Sequence, residues 1–277
     1  MKHFALIGHP LSHSFSKAYF TEKFAREKID ACYENIDIEN LAQFLSSLRG
    51  AIATKQSIRG FNVTIPYKEA IIPYLDEIDE TAQEVGAVNT VKVLDNGKLK
   101  GFNTDVVGIE ESLSSLRAKR SNPKALRPKG ENPHSSTVDC FVADAPRNDG
   151  GVNALILGTG GASKAVQYVL KKQHLPYHLV SRNSNKGLFT YDKLTAEIIK
   201  SHLLIINATP VGMAPHINEA PSIPYEAITP QHVLFDLIYN PEETLFLCNG
   251  KAKGALTING LNMLHTQAEA SWRIWNQ

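Results

Sequence analysis

A lysine, an aspartate, an asparagine and a threonine occupy the ends of short apolar runs in the first half of the sequence. Thr64 and Lys68 follow the run that begins at Phe61, Asn89 lies in GAVNT, and Asp105 ends GFNTD. Lysine is protonated at neutral pH, so it can act as a general acid towards an oxygen that gains negative charge. Lys68 could also be a solvated loop charge, which is the commoner situation for lysine.

Two serines, Ser14 and Ser16, follow the first apolar run, FALIG. Polar groups beyond the carboxyl ends of parallel strands are where open α/β folds bind ligands. Hydroxyls, an amide, a lysine and an aspartate gathered there would suit a small polyhydroxylated acid. Taken singly, each is also a common helix-cap or turn residue, and Ser14 or Ser16 could cap the following helix.

A glycine-rich stretch in the second half follows the apolar run NALIL and precedes the helical pattern SKAVQYVLKK. In that context glycines let backbone N–H groups approach a pyrophosphate at a helix N-terminus. Ser163 replaces the usual third glycine or alanine and is still small. The residues predicted to hold the pyrophosphate are Gly158, Thr159, Gly160, Gly161 and Ala162. The alternative is a tight strand–helix turn without a ligand.

The residues after the next predicted strand indicate which dinucleotide would bind. An NAD site usually has an acidic residue there for the ribose 2′-hydroxyl. The sequence instead has Ser181, Arg182, Asn183 and Lys186, and the first acid is Asp192. These groups favour the 2′-phosphate of NADP through charge-assisted hydrogen bonds. Solvated surface cations are the alternative.

Short β-branched runs alternate with helical patterns throughout, which predicts an α/β fold with largely parallel sheets. Strands are expected at 4–8, 32–38 and 61–65, with a hairpin at Asn96-Gly97, and a second series begins near Asn153. The final amphipathic pattern, 261–275, has no following strand, so we expect this helix to return to the first domain. The predicted organisation is an N-terminal domain over 1–117, an insertion over 118–151, a Rossmann-type domain over 152–260 and a C-terminal helix over 261–277.

The predicted insertion has four prolines and little periodicity. Its early part is basic, with six Lys and Arg against one acid between Arg117 and His134. This basic part lacks the interleaved aromatic residues of single-strand nucleic-acid sites. A surface insertion that the fold tolerates is therefore favoured over a nucleic-acid-binding arm.

Composition limits the remaining classes of function. The 277 residues carry a net charge of +1, so no overall field points to nucleic acid. Three isolated cysteines, Cys32, Cys140 and Cys248, fit a reducing compartment and argue against zinc; no metal is expected. The N-terminus lacks a signal-peptide core and no long apolar run follows, so a cytoplasmic protein without membrane partners is expected.

Considered together, these segments resemble the shikimate dehydrogenase family over nearly the whole chain. The matching stretches occur in the family's order and leave out only 118–151; they are GHPLSHSFS, FNVTIPYKE, GAVNT, GFNTD, GTGGAS, NATPVGM, DLIYNP and NGLNMLHTQA. The resemblance implies a substrate-binding domain followed by an NADP-binding domain. It also implies reversible, NADP-dependent reduction of 3-dehydroshikimate to shikimate. The sequence does not distinguish a monomer from a homodimer.

The resemblance also implies roles for individual residues, with Lys68 as the proton-transfer group beside Asp105. The implied substrate contacts are Ser14, Ser16, Thr64 and Tyr239 at the carboxylate and Asn89, Asp105 and Gln267 at ring hydroxyls. The implied cofactor contacts are Gly158 to Ala162 at the pyrophosphate, Arg182 and its neighbours at the 2′-phosphate, Leu237 and Gly260 near the nicotinamide, and Glu80.

The sequence departs from the family pattern in three places. Lys17 stands where proline is usual, Ser181-Arg182-Asn183 replaces Asn-Arg-Thr, and 118–151 is longer than the family's connection. Two related functions therefore stay open as alternatives: a quinate/shikimate dehydrogenase with broader cofactor use, and a non-catalytic NADP-binding regulator. His13 and His265 are interpreted as structural rather than catalytic.

Overall fold

The computed structural model describes residues 1–11, 14–53, 58–121, 153–184 and 189–277, without the side chains of 53 and 117–121. His13, Lys186 and all but the first few residues of the predicted insertion lie outside this part of the chain. The contacts divide the chain into two units, Met1–Asp105 with Gln267–Gln277 and Val106–Thr266. The domain boundaries predicted from the sequence stay predictions.

The first unit is built on a six-stranded mixed sheet in the order β2-β1-β3-β5-β6-β4. Its strands are β1 Lys2–Gly8, β2 Ala31–Asp37, β3 Gly60–Val63, β4 Glu77–Ile78, β5 Thr90–Val93 and β6 Leu99–Phe102. β1 runs parallel to both β2 and β3, whereas β5 is antiparallel to β3 and β6. The carboxyl ends of β1 and β3 therefore lie side by side, which brings together the residues that follow each strand.

The helices of the first unit follow the predicted pattern, with one difference. They are α1 Phe15–Glu27, α2 Leu41–Ala53, α3 Tyr67–Ala70 and α4 Glu80–Val85. The last turns of α9, Leu261–Asn276, also belong to this unit. The strand β4, which is not among the strands expected from the sequence, lies between α3 and α4 and pairs with β6. Leu99 N–H and Arg49 both bind the Asp76 carboxylate, and these contacts fix the chain as it enters β4.

The C-terminal turns of α9 are part of the core of the first unit. Trp275 stacks on Phe4 and donates its indole N–H to Val91 O at 3.0 Å. A Cβ on Gly60 would lie 2.3 Å from the Trp275 ring, so glycine is required for this approach. These contacts confirm the prediction that the final helix returns to the first domain.

The second unit has the sheet order of a dinucleotide-binding fold. Its strands are β7 Ala154–Leu157, β8 Tyr177–Ser181, β9 Phe189–Thr190, β10 Leu204–Asn207, β11 Val233–Asp236 and β12 Leu256–Ile258. All are parallel in the order β12-β11-β10-β7-β8-β9, which is the Rossmann arrangement. The helices are α5 Asp105–Ser121, which starts in the first unit, α6 Gly161–Lys172, α7 Ala196–Lys200 and α8 Leu245–Ala252.

The central strands of the second unit are buried on both faces. Every residue of β7, β10 and β11 is buried, as expected where helices cover both sides of a parallel sheet. The α/β fold class, with a Rossmann-type second domain, is confirmed. Within the described residues, no helix is both long and apolar enough to cross a bilayer.

Candidate active site

Lys68 and Asp105 form an ion pair in the first unit. Lys68 Nζ lies 2.6 Å from Asp105 Oδ2, and the side chains are 15% and 3% exposed. Lys68 lies in α3, the single turn after β3, and Asp105 is the first residue of α5. The remaining exposure of Lys68 leaves its ammonium accessible to a ligand and to water, whereas the carboxylate is enclosed.

The backbone around Lys68 is held from several sides. Lys68 O accepts a hydrogen bond from Val88 N at 2.7 Å, and Tyr67 N donates to Thr64 O at 2.9 Å. The Tyr67 hydroxyl donates to Ile38 O, which ties α3 to the end of β2. Thr64 is half-buried, and its N–H bonds Ile7 O at 2.9 Å. These contacts set the direction in which the lysine leaves the turn.

Asn89 connects Asp105 to the last helix. Its Nδ2 donates to Asp105 Oδ1 at 2.9 Å and to Gln267 Oε1 at 3.0 Å. Thr104 N donates to Asn89 Oδ1 at 2.7 Å, and since a backbone N–H can only donate, this contact fixes the orientation of the amide. Four predicted site residues, Lys68, Asp105, Asn89 and Gln267, are thus brought into one hydrogen-bonded group.

Of the two predicted serines, Ser14 is the helix cap. It has the extended backbone of an N-cap, and its Oγ accepts Ser16 N at 3.1 Å. The hydroxyl proton of Ser14 is not used by this bond. The hydroxyl of Tyr33, on β2, donates to Asn62 Oδ1 at 2.8 Å.

Sequence reasoning missed the buried polar side chains behind this group. Asn62, Thr90, Thr104 and Ser271, here called the hydroxyl cluster, are at most 8% exposed and bond to one another. The available signal was the polar residues inside the apolar strands FNVT and AVNTV, since buried polar groups need partners.

The glycine turn in the second unit has the geometry of an anion site. Gly158 has φ of +105°, and Gly160 is the N-cap of α6, a helix with no acid in its first turn. A Cβ on Gly160 would meet nothing within 4 Å, so its backbone is open to an approaching group. Ser163 Oγ donates to Gly158 O at 2.7 Å and closes the turn in place of a third glycine. The N-terminal N–H groups of α6, with the adjacent open backbone, fit a pyrophosphate.

Gly160→Ala separates a ligand role from a structural one. Because the new methyl meets no protein atom, we expect an unchanged thermal midpoint. We expect the KM for NADP to rise about 10-fold or more, since the methyl would meet the pyrophosphate. Gly50→Ala, which also places a methyl in open space, is the matched control; an unchanged KM in the Gly160 variant would contradict the assignment.

Arg182 lies directly beyond β8, the strand next to β7. Ser181 Oγ accepts Asn183 N at 3.1 Å, which shapes the turn, and Arg182, Asn183 and Ser184 are exposed. An exposed guanidinium at this position suits a 2′-phosphate rather than a bare ribose hydroxyl. Glu80, predicted to contact the cofactor, is the exposed first residue of α4 in the first unit.

Leu237, Tyr239 and Gly260 lie on the segments that follow β11 and β12. A Cβ on Gly260 would lie 2.2 Å from Leu237 O, so only glycine permits this approach. Asp236, at the end of β11, holds the segment: it accepts Ile238 N and Asn207 Nδ2, each at 3.0 Å, and the Thr244 hydroxyl at 2.6 Å.

Burial raises the pKa of Asp236 to about 6 despite these three donors. The protonated carboxyl is therefore favoured in the folded state, and this contribution to stability is present below the unfolded value of 3.8 and is lost as pH rises through about 6. A pKa shift of this size corresponds to a contribution of about 3 kcal/mol to the free energy of unfolding. The Asp236→Asn variant lacks the titrating carboxyl. The difference in thermal midpoint, variant minus wild type, should therefore increase by roughly 5–10 °C between pH 4.5 and pH 7. A pH-independent offset would refute this expectation.

Comparison with known proteins identifies relatives over almost the entire chain. The family model described as "Shikimate dehydrogenase substrate binding domain" matches residues 6–91. A "Shikimate dehydrogenase (NADP(+))" of Methanococcus maripaludis strain C6 is 38% identical over 286 residues, which cover 98% of this chain and 90% of the relative.

Solved structures give the same result. Shikimate dehydrogenase 1 from Peptoclostridium difficile is 35% identical with a TM-score of 0.77, covering 100% of this chain and 92% of that one. The shikimate 5-dehydrogenase of Thermus thermophilus, solved in complex with NADP(H) and shikimate, is 30% identical with a TM-score of 0.77, covering 99% and 93%.

Proposed function

The chain belongs to the shikimate dehydrogenase family, and we propose that it catalyses the reversible NADP-dependent reduction of 3-dehydroshikimate to shikimate, a step of aromatic amino-acid biosynthesis. The observation that carries the proposal is the group formed by Lys68, Asp105 and Asn89. It presents an ammonium, a carboxylate and an amide at one place in the first unit. A ketone that becomes an alcohol beside other ring hydroxyls needs these three kinds of group.

Lys68 supplies the proton in the direction of reduction. Reduced nicotinamide provides the hydride, and the carbonyl oxygen then carries negative charge until it is protonated. The Lys68 ammonium donates a proton to that oxygen as the charge develops. Because the Lys68 side chain is 15% exposed, water can return the proton afterwards. In the reverse direction the Lys68 amine accepts the hydroxyl proton.

Asp105 and Asn89 orient the reacting ring. The Asp105 carboxylate accepts a hydrogen bond from a ring hydroxyl and keeps the ammonium beside it, while Asn89 and Gln267 bind neighbouring hydroxyls. Ser14, Ser16 and Thr64 of the first unit bind the carboxylate of the substrate. Their hydroxyls are neutral donors, so we expect a moderate substrate affinity with weak salt dependence.

The second unit binds the cofactor. The glycine turn binds the pyrophosphate. Arg182 binds the 2′-phosphate, together with Ser181, Asn183 and Lys186. Leu237 and Gly260 would hold the nicotinamide ring. A cytoplasmic location and a monomeric or homodimeric state, without a nucleic-acid partner, complete the proposal.

A direct assay tests the function. Purified protein with shikimate and NADP+ should reduce the nicotinamide, with increasing absorbance, and the rate with NAD+ should be much lower. A quinate/shikimate dehydrogenase would instead oxidise quinate and use NAD+ well; the Arg182 guanidinium after β8 argues against it. A regulator would bind NADP without turnover of shikimate, and retention of both Lys68 and Asp105 argues against it.

A further inference from the structure

The hydroxyl cluster bonds two of the proposed substrate-binding residues of the first unit, Asn89 and Gln267. Asn62 Nδ2 lies 3.0 Å from Thr90 Oγ1 and 2.9 Å from Ser271 Oγ. Thr90 Oγ1 lies 2.8 Å from Ser271 Oγ. The cluster therefore joins β3, β5 and α9, and the Tyr33 hydroxyl connects it to β2 by donating to Asn62 Oδ1.

Some directions in this cluster are fixed by amide N–H groups, which only donate, and by carbonyl oxygens, which only accept. Asn62 Nδ2 donates to the backbone carbonyl of Asn89 at 3.2 Å, so its amide nitrogen faces Thr90. Thr90 Oγ1 accepts from Asn62 Nδ2, and its single proton has three acceptors within reach: Asn89 Oδ1 at 3.2 Å, Thr104 Oγ1 at 3.1 Å and Ser271 Oγ at 2.8 Å. Thr90 thus joins the two buried amides, and its hydroxyl supports the orientation in which Asn89 directs its N–H groups at Asp105 and Gln267.

We propose that Thr90 is a positioning residue for the reaction: its buried hydroxyl, together with the Thr104 N–H, holds the Asn89 amide, and through it Asp105 and Gln267, in the orientation that binds the ring hydroxyls of the substrate. The inference rests on the proposed function and names a residue of the same site. Thr90 is fully buried, so it acts through the side chains that it bonds, Asn89 among them, rather than on the substrate itself. A valine at this position keeps the shape of the side chain but removes the hydroxyl that Asn62 Nδ2 and Asn89 Oδ1 both bond.

The experiment compares Thr90→Val with Thr90→Ser in the shikimate and NADP+ assay. For Thr90→Val we expect a fall of about 10- to 100-fold in kcat/KM for shikimate, the loss typical of a buried polar group left unpaired. The fall should come mainly from the KM for shikimate, with the KM for NADP unchanged. Thr90→Ser retains the hydroxyl, and its constants should lie within about threefold of wild type.

Ser112→Ala is the matched control, because Ser112 is a buried serine whose hydroxyl bonds only the Gly108 carbonyl of its own helix among the contacts described. We expect neither KM to change in this variant. Should Thr90→Val fail to fold, Ser271→Ala replaces it, with an expected rise of about 3- to 10-fold in the KM for shikimate.

The outcomes separate this inference from the proposed function. Wild-type turnover with unchanged shikimate constants in the Thr90→Val variant, or in Ser271→Ala where it is used, would overturn the positioning role alone. Equal impairment of Thr90→Val and Thr90→Ser would overturn it too, because shape rather than the hydroxyl would then matter. If the wild type does not oxidise shikimate at all, the proposed function is wrong and the inference falls with it.

Discussion

Replacing Lys68 with alanine should lower the turnover number about 10²- to 10⁴-fold, the contribution typical of general acid–base catalysis. The KM for shikimate should change much less, since Asn89 and Gln267, which we propose bind the ring, keep their own hydrogen bond at 3.0 Å. The KM for NADP should be unaffected. The measurement is steady-state kinetics in both directions of the reaction. The thermal midpoint of the variant verifies that it is folded.

Lys100→Ala provides the control for removal of an ion-paired lysine. Lys100 lies on β6 of the same unit, with its Nζ 3.9 Å from the Glu77 carboxylate, and its side chain is 34% exposed. This pair is partly solvated, so its loss should leave turnover and both Michaelis constants at wild-type values. Near-wild-type turnover of the Lys68 variant would remove this residue from the mechanism.

Replacing Arg182 with alanine should change the choice of cofactor. A hydrogen bond to a charged group contributes about 1.5–3 kcal/mol, so the KM for NADP should rise by roughly 10- to 150-fold. The KM for NAD, which lacks the 2′-phosphate, should stay the same, and turnover at saturating NADP should also be retained. Because the contact is between exposed charges, the wild-type KM for NADP should rise with salt, and the variant should lose most of that dependence.

Lys251→Ala is the matched control in the second unit. Lys251 is an exposed cation on α8 whose Nζ lies 2.8 Å from Glu243 Oε1. Its removal takes away the same formal charge without touching the turn after β8. A rise in the KM for NADP of equal size in both variants would mean that net charge, rather than Arg182 itself, attracts the cofactor.

The elements and the chemistry of the turns could be predicted from the sequence because their causes are local. β7 is a continuous apolar run followed by glycines, and this pattern predicts a buried parallel strand and a nucleotide-binding turn. Asn96-Gly97 predicts a hairpin, and the structure has φ of +81° at Gly97 between the antiparallel strands β5 and β6. Polar side chains near strand ends could be put forward as candidate site residues, and three of them, Lys68, Asp105 and Asn89, lie in one hydrogen-bonded group with Gln267.

The relations between distant residues were decided only by tertiary structure. Asn62 and Ser271 are 209 positions apart and bond because α9 returns against the sheet, and no local pattern encodes that partnership. The same holds for Asp236, whose raised pKa arises from burial among groups supplied by three segments. Sequence by itself determined which groups are present and which strand ends carry them, since backbone propensity and hydrophobic periodicity act over a few residues. Packing decided which amide faces which carboxylate, because a buried polar group must find its partner wherever the fold places one.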